Sequence, residues 1–167
     1  MNKLINKPLV AILASGILLS TIPTGCKKSS NNGSGSAVSA SFSSGSFSSQ
    51  QSQAFYSKSQ AAFVIGGYTI VNGDTSVIEL DLTSNVTLNT PVTFANGQSV
   101  YYYDSKGTFY FSGDVTSGHG SVTITSWDTT HTKLTGTFTG VLPSTTNASD
   151  SLVINNGQFN VTYIAEP

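Results

Sequence analysis

Apolar and polar residues alternate on both sides of Asn72-Gly73, and this period of two constrains the fold more than any other feature of the chain. Asn and Gly both tolerate the positive φ angles of a two-residue type I′ turn. With these two residues as the loop, Ile65 faces Leu80, whereas a three-residue loop would oppose Ile65 to Asp81 and turn the core outward. The pattern therefore predicts a tight β-hairpin whose buried face also carries Phe63, Gly67, Ile78 and Leu82.

The opposite face of this hairpin is predicted to meet solvent. Val64 would lie there beside Asp81, and Gly66 beside Glu79. The two acidic side chains would then point the same way, because residues two apart on a strand share a face.

A second hairpin is predicted where Asp104-Ser105-Lys106-Gly107 separates two aromatic segments. A four-residue loop at this point sets Tyr103 opposite Thr108. One face would then carry Val100, Tyr102, Phe109 and Phe111, and the other would carry Tyr101, Tyr103 and Tyr110.

Two further strand pairs follow from the same counting. Asn156-Gly157 predicts a turn that aligns Leu152 and Ile154 with Phe159, Val161 and Tyr163. Segments 121–127 and 133–141 predict the other pair, in which the loop near Asp128 must hold three or five residues if their apolar positions are to match. Those positions are Val122, Ile124, Leu134, Gly136 and Phe138.

No segment after residue 38 shows the 3.6-residue period of an amphipathic helix. We therefore expect an all-β domain of about eight to ten short antiparallel strands. That number of strands suits a two-layer sandwich or a small, partly closed barrel.

Residues 1–25 have the layout of an export signal. Lys3 and Lys7 precede an apolar run that is too short to span a bilayer as a mature helix. The segment leads to Thr24-Gly25-Cys26, which resembles the lipobox of bacterial lipoproteins. The resemblance implies that Cys26 is lipidated and becomes the first mature residue; the alternative is ordinary secretion with a dispensable cysteine.

The next segment is predicted to be a flexible tether. From Ser29 to Gln53, 12 of 25 residues are serine, and the first part has no apolar residue to bury. We place the lipidated cysteine and the tether at residues 26–37 and a single β domain at residues 38–167.

The later strands resemble a known family. Gly120-Ser-Val-Thr-Ile-Thr-Ser-Trp-Asp128, Leu134-Thr-Gly-Thr-Phe-Thr139 and Ile154-Asn-Asn-Gly-Gln-Phe-Asn-Val-Thr-Tyr163 are similar to segments of small Gram-negative lipoproteins whose β-rich domain has no assigned function. The resemblance spans about residues 60–167 and implies a fold and a location but no catalytic residues. Lys27 after the cysteine, by the same resemblance, implies the outer membrane and leaves the leaflet open.

Composition excludes several classes of function. Cys26 is the sole cysteine, which rules out an internal disulfide, a cysteine nucleophile in the mature domain and a zinc site with cysteine ligands. The chain has no arginine and a formal net charge of -1, so it lacks the basic surface that nucleic acid requires. We expect no cofactor, no metal and no nucleic-acid partner.

Few polar residues suggest catalysis. His119 and His131 could form a metal pair, or His131 could act as a base beside Asp128, but both are expected in solvated loops. A glycosidase needs two carboxyl groups about 5 Å or about 6.5 to 9.5 Å apart in a cleft. The candidate acids are Asp74, Glu79, Asp81, Asp104, Asp114, Asp128 and Asp150. We expect that the protein is not an enzyme, with a hydrolase as the remote alternative.

The tyrosines Tyr101, Tyr103 and Tyr110 are the candidate ligand-contact residues. An exposed row of tyrosines could stack on sugar rings or on a partner, since each ring offers a rigid apolar face and a polar tip. Alternatively, the rings only stabilise the sheet through cross-strand pairs. The sequence thus predicts an outer-membrane lipoprotein that acts as an interaction or structural module, with a glycan or an envelope protein as partner; the alternative is a glycan-binding surface accessory protein.

Overall fold

The computed structural model describes residues 37–113 and 118–166, and these residues form strands and loops without a helix. The predicted signal, Cys26 and Asp114 lie outside the described residues. In chain order the strands are β1 (Ala37–Phe42), β2 (Gly45–Ser48), β3 (Gln51–Ser57), β4 (Ala62–Val71), β5 (Asp74–Thr83), β6 (Val92–Thr93), β7 (Ser99–Tyr103), β8 (Phe109–Ser112), β9 (His119–Asp128), β10 (Lys133–Pro143) and β11 (Ser151–Ala165). The prediction of an all-β fold is confirmed, with eleven strands in the described part of the chain.

The long strand β11 connects two layers. Residues 151–162 pair with β10 on one side and residues 154–160 pair with β1 on the other, whereas residues 163–165 pair in parallel with β3. The first layer has the order β2-β1-β11-β10-β9-β6, and the second has the order β3-β4-β5-β7-β8. The sheet does not close into a barrel, so the sandwich-like arrangement is the one of the two predicted architectures that the protein adopts.

The core lies between the two layers and is made of the inward residues of each strand. Phe63 is fully buried and packs edge-on against Trp127 at 5.1 Å between ring centroids, which joins the second layer to the first. Phe42 of β1 contacts Tyr102 of β7 at 4.9 Å between ring centroids. Burial of such aromatic rings stabilises the fold by roughly 1.5 to 3 kcal/mol for each ring.

The predicted hairpin at Asn72-Gly73 is confirmed. Val71 pairs with Asp74 and Ile65 with Leu80, as the two-residue loop requires. Asn72 has φ +55° and Gly73 has φ +90°, the positive values of a type I′ turn. All the predicted inward side chains of this hairpin are buried: Phe63, Ile65, Ile78, Leu80 and Leu82.

The predicted register of the second hairpin is wrong by one residue. Tyr103 pairs with Phe109, so the loop between them holds five residues. The side chain of Asp104 explains the extra residue, because it accepts hydrogen bonds from the backbone N–H groups of Lys106 (2.9 Å) and Thr108 (2.7 Å). Thr108 is thereby held in the loop, and every side chain of β8 changes faces relative to the prediction.

The predicted turn at Asn156-Gly157 is also wrong. These residues lie inside β11, where Gly157 pairs with Phe138 on one side and with Ala40 on the other. Neighbours on both sides supply partners for an extended backbone, so the chain does not reverse. Asn155 is instead an extra residue relative to β1, and this bulge interrupts the regular pairing.

The loop between β9 and β10 has four residues rather than the predicted three or five, because Asp128 pairs with Lys133. An odd number of loop residues was predicted because it would bring the apolar positions of β9 and β10 opposite each other. A bulge at Thr125 shifts the register by one residue and gives the same alignment with four loop residues. Ile124 thereby faces Gly136, and Val122 faces Phe138.

Candidate functional site

The outward side of the second layer combines aromatic rings with two carboxyl groups, and we call it the aromatic face. Residues pointing inward from these strands are buried, among them Ala54, Ile65, Ile78 and Val100. The alternate residues point outward, and two of the large ones, Phe55 and Tyr103, are 47% and 43% exposed. The outward residues used below are Gln51, Gln53, Phe55, Val64, Gly66, Tyr68, Val77, Glu79, Asp81, Ser99, Tyr101, Tyr103, Phe109 and Phe111.

An aromatic stack occupies the β7–β8 side of this face. The ring of Tyr101 is stacked on Phe111 at 4.7 Å between centroids and on Phe109 at 5.7 Å. Interplanar angles of 21° and 30° keep the three rings nearly parallel. Such stacking holds each ring in one orientation, so the stack is a preformed surface rather than a set of independent side chains.

Two carboxyl groups lie next to this stack on β5. Glu79 pairs directly with Tyr101, and Asp81 lies two residues further along the same face. The hydroxyl of Ser99 donates a hydrogen bond of 3.2 Å to Asp81. The carboxyl groups are therefore placed beside an aromatic ring by the pairing of β5 with β7.

Both carboxyl groups have altered acidity. Burial raises the pKa of Glu79, and the neighbouring charge of Asp81 raises it further. Burial also raises the pKa of Asp81, although hydrogen bonds from Tyr101 and Ser99 act in the opposite direction. Two neighbouring carboxylates that are partly removed from water are stabilised by any ligand group that donates hydrogen bonds to them.

A glycine leaves open space beside these carboxyl groups. Gly66 pairs with Gln53 on β3 and with Glu79 on β5, in regular register. A Cβ atom at Gly66 would meet no heavy atom within 4 Å. The aromatic face thus has a shallow depression at Gly66, bordered along the same strand by Val64 and Tyr68.

The corrected register divides the three predicted ligand-contact tyrosines between two faces. Tyr101 and Tyr103 lie on the aromatic face, but Tyr110 points to the other side of β8, where it stacks on Tyr102 at 6.2 Å. The hydroxyl of Tyr110 donates a hydrogen bond of 3.0 Å to Asp150. Phe109 and Phe111, which the predicted register placed on the face opposite the tyrosines, replace Tyr110 on the aromatic face.

The two histidines lie apart. His119 begins β9 and His131 follows its end, a distance of roughly 30 Å along an extended strand. His131 Nδ1 lies 2.6 Å from Asp128 Oδ2, and Asp128 also accepts hydrogen bonds from the backbone N–H groups of Thr130 and His131. These contacts lower the pKa of Asp128, with the backbone hydrogen bond from His131 as the largest cause. They close a loop, and a metal shared by the two histidines is ruled out by their separation.

The outward side of the first layer is different in chemistry, and we call it the hydroxyl face. Thr123, Thr137, Gln158, Ser39 and Ser48 form one row across five strands. A neighbouring pair, Thr125 and Thr135, is joined by a hydrogen bond of 3.0 Å between hydroxyl groups. This uncharged polar row has no large apolar side chain for a ligand to stack on.

Within residues 37–113 and 118–166, no group of three His, Cys, Asp or Glu side chains could hold a metal ion. The same part of the chain includes no helix long and apolar enough to cross a membrane.

Comparison of the chain with protein-family models, with curated proteins and with solved structures finds no match. The resemblance to small Gram-negative lipoproteins therefore stays a prediction.

Sequence reasoning identified part of this site. It placed Glu79, Asp81 and Gly66 on the outward face but regarded that face as ordinary solvent-exposed surface. It missed Phe109 and Phe111, because the backbone N–H of Thr108 bonds to Asp104 and lengthens the loop. Asp104 at the first loop position could have indicated the longer loop, since Asp side chains often accept a hydrogen bond from the backbone N–H two residues on.

Proposed function

We propose that this chain is a lipid-anchored envelope protein whose β domain acts as a binding module through the aromatic face, with a glycan as ligand. The observation that carries the proposal is the pairing of Glu79 with Tyr101, which puts a hydrogen-bond acceptor at the edge of a half-buried aromatic stack on the outward side of the sheet. The membrane association rests on the predicted lipidation of Cys26, and the location proposed is the outer membrane.

The chemistry of the aromatic face matches that of a sugar. A hexose ring has apolar C–H groups on its faces and hydroxyl groups around its rim. Tyr101 and Phe111 offer an apolar surface for the ring, while Glu79 and Asp81 accept hydrogen bonds from hydroxyl groups. Exposed apolar patches on soluble domains commonly mark such interaction sites.

The placement of the carboxyl groups favours binding over hydrolysis. Glu79 and Asp81 are two residues apart on one strand, so they approach a ligand on the sheet from the same side. A glycosidase needs its two carboxyl groups to flank the bond that breaks. We therefore keep hydrolysis as the remote alternative and propose a module without catalytic residues.

The second candidate is a structural lipoprotein with no dedicated ligand, and the hydroxyl face supports it. The row from Thr123 to Ser48 is polar, and its own side chains offer neither a ring nor a charge. A protein that used only this side would serve as a spacer or a surface coat. The two candidates therefore assign function to different faces of one domain.

A binding screen distinguishes these candidates. The mature protein in detergent is applied to an array of neutral and anionic glycans, together with Tyr101→Ala and a control, Thr137→Ala, on the hydroxyl face. We expect wild type and Thr137→Ala to bind the same glycans and Tyr101→Ala to lose at least about fivefold in affinity, the equivalent of about 1 kcal/mol. The proposal would be contradicted if wild type bound none of the glycans, or if Tyr101→Ala bound them as tightly as wild type.

A further inference from the structure

The identity of residue 66 is not explained by the fold. Gly66 lies within β4 in regular register, without a bulge, and its φ is outside the left-handed region that favours glycine. A Cβ atom at this position would meet no heavy atom within 4 Å. Glycine inside a strand lowers the free energy of unfolding by roughly 0.5 to 1 kcal/mol relative to alanine, and the packing of the sheet does not require it here.

The next residue is a contrasting case. A Cβ atom at Gly67 would lie 2.7 Å from Cβ of Val38, so the packing of β4 against β1 requires glycine there. Gly67 faces the core and Gly66 faces solvent. Glycine inside a strand often marks a place where a ligand approaches the backbone closely, and only Gly66 has the open space for one.

We propose that the depression at Gly66 is a subsite for one uncharged hexose residue of a glycan, with the sugar against the Gly66 backbone and its hydroxyl groups donating to Glu79 and Asp81. This inference rests on the proposed function, since it names the ligand class and the position of one ring on the aromatic face. We call the depression, bordered by Gln53, Val64, Tyr68 and Glu79, the Gly66 subsite.

The borders of the subsite are suited to a sugar. Val64 and Tyr68 flank Gly66 along β4, and the hydroxyl of Tyr68 donates a hydrogen bond of 2.6 Å to Gln51, which fixes the ring. Gln53 and Glu79 lie on the two neighbouring strands, roughly 10 Å apart across two strand spacings. This pairing places one polar side chain on each side of Gly66, where a sugar ring over the glycine could contact both.

The charge around the subsite selects among sugars. Glu79 and Asp81 are both acidic, and the lysines of the described residues are placed elsewhere: Lys58 in the β3–β4 loop, Lys106 in the β7–β8 loop and Lys133 at the start of β10. A uronic acid or a sulfated sugar would bring a third negative charge without a cation to offset it. A neutral hexose meets no such repulsion and satisfies the two carboxyl groups with its own donors.

The decisive variant is Gly66→Thr, because it fills the subsite without disturbing the core. Threonine favours strands and its Cβ atom would meet no heavy atom within 4 Å, so we expect a melting temperature equal to or above that of wild type. We expect its affinity for a neutral glycan to fall at least tenfold. Glu79→Gln, which keeps the shape of the side chain but weakens it as an acceptor, should lower the affinity by a smaller factor.

The probes are the neutral polysaccharides laminarin, galactomannan and dextran, with polygalacturonate as the anionic comparison, and binding is measured by calorimetry on the mature protein. Preference for a neutral polysaccharide, lost in Gly66→Thr and kept in Thr137→Ala, supports the subsite. Wild-type affinity in Gly66→Thr alongside weakened binding by Tyr101→Ala would leave the binding function standing and overturn the subsite. Preference for polygalacturonate would overturn the charge selection, and no binding to any probe would overturn the proposed function itself.

Discussion

Gly157 of β11 lies directly opposite Phe138 of β10, and the phenyl ring covers the place that a side chain at residue 157 would fill. The relationship is repeated two residues away, where Phe159 covers Gly136 across the same pair of strands. Each ring shields a stretch of glycine backbone that would otherwise be poorly packed. This reciprocal arrangement fixes the register of β10 and β11 in the core.

Gly157→Val should therefore destabilise the protein. The added side chain overlaps the ring of Phe138, which is itself only 1% exposed and therefore packed against other core residues. Overpacking of a core costs typically 1 to 3 kcal/mol, and we expect about 2 kcal/mol here. Urea unfolding gives the value. Gly66→Ala is the matched control and should stabilise the protein by about 0.5 kcal/mol; similar effects of the two substitutions would be inconsistent with the packing described.

The tyrosines should separate into two classes on truncation. Tyr110→Ala removes a stacked ring and its hydrogen bond to Asp150, so we expect a loss of about 2 kcal/mol in stability. Tyr103 is 43% exposed, and Tyr103→Ala should cost less than about 1 kcal/mol. Thermal melting of both variants tests the assignment of faces, and equal losses would favour the predicted register, in which Tyr103 and Tyr110 share one face.

The carboxyl groups of the aromatic face should make stability depend on pH. Because the pKa of Glu79 and that of Asp81 are raised in the folded protein, the folded state binds more protons than the unfolded chain. Their favourable contribution is present below about pH 4, where the unfolded carboxyl groups are protonated, and is lost as the pH rises through the folded values. Glu79→Gln should melt at a higher temperature than wild type at pH 7, and the difference in melting temperature should shrink toward pH 4. A difference that grows toward pH 4 would mean that folding lowers the pKa of Glu79 rather than raising it.

Lipidation is tested at Cys26. Cys26→Ser removes the predicted acylation site, and several buried acyl chains at about 0.8 kcal/mol per methylene group would otherwise hold the protein in the membrane. We expect wild type in the detergent phase of a Triton partition and the variant in the aqueous phase. Wild-type protein in the aqueous phase would mean ordinary secretion.

The sequence by itself determined the all-β class and the hairpin at Asn72-Gly73. That hairpin is local: the apolar residues on its two sides match one another, and the turn residues take up the positive φ angles that the loop needs. Chain segments close in sequence need no third strand to set their register, so a pattern of period two was sufficient.

The tertiary structure decided what the same dipeptide does at Asn156-Gly157. There β1 and β10 pair with both sides of the strand, and the ring of Phe138 takes the space above Gly157, so the backbone stays extended. The bulge at Thr125 and the hydrogen bond that holds Thr108 in its loop likewise set which residues reach the aromatic face. A single inserted residue moves every following side chain to the other face, and neighbours distant in sequence decide where that residue goes.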